Sequence, residues 1–198
     1  EPYNRFHKLI KVWRDRYREL GKKDFIDYVF IFENKGEEVG VTLEHPHGQI
    51  YAYPFIPPKI KKELNSSQKH YKKNGECLFC KVINKELEDK KRIVISNNSF
   101  TAIVPFFARY SYEIHIYANK HIPSFNHFTE KEEKDLAKIM KKVLMKFDNI
   151  FGFVFPYIMS IHQQPTDGSG EEYSHFHIEF YPPYRTENKI KYLAGSEA

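Results

Sequence analysis

The sequence predicts an α+β fold made of two related halves, each an antiparallel sheet flanked by helices. Three observations carry this expectation. Segments with apolar residues at helical spacing alternate with short runs rich in aromatic and β-branched residues. The order helix, strand, polar loop, His-x-His strand occurs twice, which marks an internal duplication. The two final strands share a spacing, His45-Pro46-His47-Gly48-Gln49 in the first pass and His175-Phe176-His177-Ile178-Glu179 in the second. Residues 1–56 then form the end of the first half and residues 57–198 form the second.

The elements follow in order. Phe6, Leu9, Ile10, Trp13, Tyr17 and Leu20 recur at helical spacing, and Gly21 can end that helix. Phe25 to Phe32 reads as a strand. A polar loop from Glu33 to Glu44 leads into the strand His45 to Phe55. Pro57-Pro58 opens a charged helix running to about Lys73, with Asn74-Gly75 as its stop. After the Cys77-Leu-Phe-Cys80 pair come three strand-like runs, Arg92 to Ser96, Phe100 to Pro105 and Tyr112 to Ala118. Thr129 with Glu132 is a capping-box signature, and the helix it opens runs to about Phe151. Phe153 to His162 and Ser174 to Tyr181 read as strands around the polar loop Gln163 to Glu172. The second copy has a C-x-x-C pair and a meander ahead of its helix, whereas the first begins directly at its helix. The matching part of the first copy is therefore expected upstream of Glu1.

Composition limits the function classes. Hydrophobic residues make up 41% of the chain, enough for a core, and 31 basic against 26 acidic residues leave a net charge of +5. This mild excess suits anionic small molecules such as nucleotides without requiring nucleic acid. The lysines around Lys59 to Lys73 and Lys131 to Lys146 read as solvated helix faces. No apolar run reaches the roughly 18 residues of a membrane helix, and no signal peptide is visible. Two cysteines cannot make a disulfide framework; their C-x-x-C spacing fits a metal site or a redox pair, and two buried thiols are the plain alternative. Metal ligation is favoured, because the βαβ context of a thioredoxin-like pair is absent. A cytoplasmic location follows from this cysteine usage.

The richest segment is His45-Pro46-His47-Gly48-Gln49. Alternate residues of an extended strand face the same side, so His45, His47 and Gln49 share a face. Pro46 stiffens the backbone between the imidazoles, and Gly48 lets a bulky group approach. Two imidazoles and an amide on one rigid face suit a metal ligand, a nucleophile and a neutral donor to a phosphate. A polar strand face without chemistry is the alternative at this point.

The flanking residues decide between them. Phe32-Glu33-Asn34-Lys35-Gly36, Gly40-Val41-Thr42 and His45-Pro46-His47-Gly48-Gln49-Ile50 resemble the active-site stretch of the galactose-1-phosphate uridylyltransferases, members of the histidine-triad superfamily. Pro105-Phe106, His162, His175-Phe176-His177 and Phe180-Tyr181-Pro182-Pro183 resemble that family's C-terminal signatures, so the resemblance covers nearly the whole chain. It implies two histidine-triad-like halves, a homodimer sharing its active sites, and ping-pong transfer of a uridylyl group from UDP-glucose to a histidine and then to galactose 1-phosphate. On this resemblance His47 is the nucleophile and Gln49 hydrogen-bonds the phosphoryl oxygens. Asn34 and Thr42 are further phosphate-side contacts, and Lys191 and Glu197 match positions in the sugar-contacting loop. Ser196 stands where the family usually has an aromatic hydroxyl. Glu179 holds in the second copy the place of Gln49. A carboxylate there would repel a phosphate, so the second His-x-His is expected to be structural.

The resemblance also implies metals. His45 matches a zinc ligand whose partners, two cysteines and a histidine, are expected upstream. By the repeat, Cys77, Cys80, His121 and His175 would form a Cys₂His₂ zinc site. By family match, Glu63, His162, His175 and His177 would form a Glu-His₃ site for zinc or iron. His175 falls in both sets, and the thiolate set is favoured because thiolates hold zinc more tightly than a carboxylate does. His7, His70, His115 and His127 show no partner pattern. His7 is expected on a helix surface, and His115 on the surface or as a satisfied core residue. Two other functions fit the same motif: a nucleotidyl phosphorylase acting on ADP-sugars or dinucleoside polyphosphates, and a non-catalytic nucleotide-binding module.

Overall fold

The computed structural model describes residues 3–41 and 48–191. Helix α1 (Tyr3–Leu20) buries Ile10, Trp13 and Tyr17, the stripe its spacing announces, and Gly21 closes it by donating to the Tyr17 carbonyl. Strand β1 (Tyr28–Lys35) pairs antiparallel with β2 (Gly48–Tyr53). The first strand starts later than its apolar run suggests, because Phe25 lies exposed in the preceding turn. Helix α2 (Pro58–Asn74) starts with proline at its first position and stops at Gly75, whose φ of 71° is the left-handed cap.

Helix α3 (Leu78–Asp89) occupies a stretch that the sequence reading leaves without an element. Its signal was present: Phe79, Ile83 and Leu87 lie four apart and pack on Ile103 and Tyr117. The meander β3 (Ile93–Ser96), β4 (Phe100–Ile103) and β5 (Ile114–Ala118) follows. Helix α4 (Glu130–Phe151) carries the full capping box, with Thr129 accepting from the Glu132 amide and Glu132 accepting from the Thr129 amide. Strands β6 (Tyr157–His162) and β7 (His177–Tyr181) form the second His-x-His hairpin, and a small hairpin of β8 (Tyr184–Thr186) and β9 (Lys189–Ile190) ends the described chain. Proline at 156 accounts for the late start of β6, since it cannot donate to the ladder.

Seven strands make one sheet in the order β2-β1-β6-β7-β5-β4-β3. The strands of the two halves are therefore continuous: β1 pairs antiparallel with β6, Phe32 lying across from Ser160. Alternation sorts the side chains. Val29, Ile31, Met159, Ile161, Ile178, Phe180, Ile114 and Ile116 face the back, where they pack under α1 and α4. The opposite positions carry Phe32, Asn34, Gln49, His162, His177, Glu179 and His115 on the front, beside α2 and α3. The back is apolar and the front holds the chemistry.

Gly36 belongs to the Phe32–Gly36 motif for a structural reason. Its φ is 104°, and a Cβ there would lie 2.4 Å from the Pro156 side chain. His7 is a correction: it sits in the seam between α1 and α4, its Nε2 3.5 Å from the Glu133 carboxylate, which Arg14 also binds. Glu133 is fully buried, so the seam draws a histidine inward that helical spacing alone places on the surface. His115 is the satisfied core residue of the two alternatives.

The capping box gives a pH dependence. Burial pushes the Glu132 carboxyl up, but Lys120 and Thr129 outweigh it and hold it below its ordinary value. Its contribution is thus fully present above the ordinary carboxylate pKa of about 4.5 and is lost as pH falls through the lowered folded value. Thr129→Ala is expected to cost about 1 kcal/mol at neutral pH. Glu132→Gln is expected to flatten the acid limb of stability in denaturant melts between about pH 5 and 3; an unchanged slope would contradict this.

Candidate active site and metal clusters

The first His-x-His strand is described from Gly48 onward. His45, His47 and Thr42 lie outside the described residues, as does Glu197. Gln49 lies across from Phe32 in the β1–β2 hairpin, on the front of the sheet. The Tyr51 hydroxyl donates to Gln49 Oε1 at 3.1 Å, which leaves the two Nε2 hydrogens to serve another acceptor. Asn34 stands one alternation further along the same face, and its Oδ1 is buried without a hydrogen-bond partner among the described residues. Phe30, Phe32, Tyr51 and Tyr53 continue this face as an aromatic ladder, with ring centroids 5.4, 4.8 and 5.9 Å apart along successive contacts. At Gly48 a Cβ would find only ordinary contacts on the back, the nearest 3.5 Å away at the Phe32 carbonyl. Packing within the described residues therefore does not require that glycine. Lys191 is remote in sequence and lies over the Tyr110 ring, bonded to the Arg109 carbonyl.

The second half holds two clusters on the front face. In the first, Cys77, Cys80, His121 and His175 bring one ligand atom each to within 4.8 Å of one another. His175 Nδ1 lies 3.8 Å from Cys77 Sγ and 3.5 Å from Cys80 Sγ, and His121 Nδ1 lies 3.6 Å from Cys80 Sγ. For tetrahedral zinc, with Zn–S of about 2.3 Å and Zn–N of about 2.0–2.1 Å, the sulfur-to-nitrogen edge is about 3.5 Å. The donors therefore already stand at ligand spacing. Both imidazoles point their other nitrogen at a backbone carbonyl, His175 Nε2 at Ala118 (2.9 Å) and His121 Nε2 at Glu171 (2.8 Å). Those bonds fix the tautomer that leaves the Nδ1 lone pairs facing the sulfurs. The hydrogen bond between the two cysteines lowers the Cys77 thiol most, aided by His121 and His175, and raises Cys80.

The second cluster contains Glu63 from α2, His162 from β6, and His177 and Glu179 from β7. His162 bridges the two carboxylates, Nδ1 to Glu63 at 2.7 Å and Nε2 to Glu179 at 3.1 Å. Burial pushes His162 down, but Glu179 and Glu63 outweigh it and raise it to about 9. Burial likewise works against both carboxylates and is outweighed by His162. His177 Nδ1 bonds the His175 carbonyl at 2.8 Å, which turns the Nε2 lone pair toward both carboxylates, 3.7 and 3.6 Å away. That Nε2 is buried and has no hydrogen-bond partner among the described residues. An acceptor facing two acceptors in the interior is the arrangement a divalent cation satisfies.

The expected conflict over His175 does not arise. Its two nitrogens are taken by the cysteines and the Ala118 carbonyl, so the thiolate set comes together as the repeat suggests. Of the Glu-His₃ set, Glu63, His162 and His177 come together but His175 does not; Glu179 stands in its place. The period-2 alternation from His177 was the signal for Glu179. The same alternation places Glu113, just ahead of β5, with His115 and Tyr117 of that strand. Lys59, 2.7 Å from Glu179 and bonded to the Tyr181 hydroxyl, had no sequence signal beyond its place at the start of α2.

The comparisons with known proteins agree with this geometry. The profile of the galactose-1-phosphate uridyl transferase N-terminal domain matches residues 2–57, and that of the C-terminal domain matches residues 63–197. The chain is 42% identical over 197 residues to the galactose-1-phosphate uridylyltransferase of Thermotoga maritima, covering 99% of this chain and 61% of that relative. It therefore spans about six-tenths of the relative's length. A solved uridylyltransferase structure superposes with a TM-score of 0.93 at 38% identity, over 100% of this chain and 62% of that one. An ADP-glucose phosphorylase from Arabidopsis thaliana, solved with ADP-glucose, shares the fold, with a TM-score of 0.81 at 24% identity over 93% of this chain and 58% of that one. Among the described residues, no helix is long and apolar enough to cross a membrane.

Proposed function

Since the chain belongs to the galactose-1-phosphate uridylyltransferase family, we propose that the intact protein transfers a uridylyl group from UDP-glucose to galactose 1-phosphate through His47. The neutral imidazole of His47 attacks the α-phosphorus of UDP-glucose. A P–N bond forms, the bond to the bridging oxygen breaks, and glucose 1-phosphate leaves with the electron pair. The phosphate oxygen of galactose 1-phosphate then attacks the same phosphorus, displaces the imidazole and gives UDP-galactose. Dividing one displacement into two lets one site serve two sugar phosphates in turn. Gln49 donates to the phosphoryl oxygens, stabilising developing charge without adding a like charge. Asn34 and Thr42 supply further phosphate contacts, and Lys191 and Glu197 meet the hexose phosphate.

The observation that carries this reading is the placement of Gln49, Asn34 and the aromatic ladder on one face of the β1–β2 hairpin, with Gln49 two residues after His47 in sequence, in a chain matched by both domain profiles. Residues 1–56 then supply the reacting strand and residues 57–198 the second histidine-triad-like half. The second His-x-His is structural in this reading: Glu179 is already engaged by His162 and Lys59.

Both clusters fit metals. Cys77, Cys80, His121 and His175 would hold zinc, and Glu63, His162, His177 and Glu179 would hold zinc or iron. His45 would bind a further zinc. Each would fix strand geometry, and none is required to touch the reacting phosphorus. The protein acts as a cytoplasmic homodimer on UDP-sugar and hexose 1-phosphate, without nucleic acid.

The test is a burst assay with the intact protein. UDP-glucose alone is expected to release glucose 1-phosphate stoichiometrically with sites and then stop until galactose 1-phosphate is added. A burst with ADP-glucose and none with UDP-glucose would make the protein a nucleotidyl phosphorylase instead. Binding of UDP-glucose without any burst would make it a non-catalytic module.

A further inference from the structure

The buried front face carries a line of alternating carboxylates and imidazoles that runs beyond the second metal-type cluster. Glu63 meets His162, His162 meets Glu179, and Glu179 lies 3.6 Å from His115 Nδ1. His115 Nε2 lies 2.8 Å from Glu113 Oε1. Glu113 is only 1% exposed, and its other oxygen accepts from the backbone amides of Arg109 (2.7 Å) and Tyr110 (3.1 Å). It therefore pins the segment that enters β5. That segment is where Lys191 rests: the ammonium bonds the Arg109 carbonyl and lies 5.1 Å from the centre of the Tyr110 ring. The Arg109 guanidinium in turn lies over Tyr181, two residues after Glu179 on β7.

We propose that Glu113 is a positioning residue for Lys191: by clamping the Arg109 and Tyr110 amides it holds the seat of the ammonium and so sets the hexose-phosphate end of the site. A buried carboxylate accepting two amide hydrogens is a strong, directional anchor. Both groups it holds are backbone amides already engaged by its carboxylate, so in this proposal Glu113 acts through Lys191. This rests on the uridylyl-transfer reading for what Lys191 contacts. The clamp itself does not, and its test separates the two.

In the intact protein, Glu113→Ala is expected to raise amide hydrogen exchange at Arg109 and Tyr110 and to raise KM for galactose 1-phosphate about tenfold, the scale of one charge-assisted contact. The rate of uridylyl transfer at saturation should change little. Lys191→Met should give a similar KM. The double variant should be no worse than either single one, because both changes remove the same contact. Glu113→Gln, which keeps one acceptor for the amides, should recover part of the KM and serves if the alanine variant fails to fold. Multiplicative KM effects in the double variant, or an unaltered KM with faster exchange, would overturn the positioning role. Unchanged exchange would overturn the clamp. Absence of any uridylyl transfer in the unaltered protein would sink the functional reading alone, leaving exchange to judge the clamp.

Discussion

His47→Asn should abolish uridylyl transfer. In the proposed mechanism the side chain supplies the atom that bonds phosphorus, and no amide nitrogen can replace it, because its lone pair is delocalised into the carbonyl. Loss of a nucleophile in a site whose other groups stay intact lowers kcat by on the order of 10⁶-fold. Substrate binding should survive, since the proposed contacts from Gln49, Asn34 and the aromatic face stand on the paired strands β1 and β2 and are left unaltered. The expected pattern is therefore UDP-glucose affinity within a few-fold of the unaltered protein, no burst of glucose 1-phosphate, and unchanged thermal stability. Equilibrium binding and quenched-flow measurement check it. A variant that retains a stoichiometric burst would remove His47 from the mechanism.

Cys77→Ser should remove one equivalent of zinc and much of the stability it confers. The hydroxyl is far less acidic than a thiol and will not ionise to complete the donor set. A metal bound at about 1,000 times its Kd contributes about 4 kcal/mol to the folded state. For a chain of this size that is a drop of roughly 8–16 °C in Tm. Glu63→Ala should spare that zinc and cost the other cluster its metal, because the two sets share no side chain. Metal analysis of the two variants should thus show complementary losses. Loss of both metals in either variant, or of neither, would contradict two independent clusters.

Much of this arrangement is legible in the sequence because it depends on local or alternating patterns. Gly75 stops α2, and the Thr129–Glu132 box starts α4, because each acts within a few residues of the backbone it serves. The thiolate set could be read because the repeat and the C-x-x-C spacing both lead to it. Helix α3 was obscured by the cysteines at its start, although its apolar spacing was sufficient. Other features are tertiary. Which way the His175 ring turns is set by the Ala118 carbonyl on a neighbouring strand, 57 residues away in sequence. Alternation puts Glu179 on the face of His177, but only the pairing of β7 with β5 and β6 brings it beside His115 and His162. The half-buried position of His7 in the α1–α4 seam depends on a carboxylate contributed by α4. The continuity of one sheet across both halves rests on the β1–β6 pairing, which no local pattern encodes.

The most direct test of the central claim is to find where the nucleotidyl group resides. The intact protein is incubated with UDP-glucose labelled at the α-phosphate, denatured at alkaline pH, where a phosphoramidate survives, and digested with trypsin. The label should reside on the peptide spanning residues 36–59, which contains His47 and ends at Lys59. Adding galactose 1-phosphate before denaturation should discharge it as labelled UDP-galactose. Label on the peptide spanning residues 147–185, which carries His162, His175 and His177, would contradict the assignment of the reaction to the first His-x-His strand.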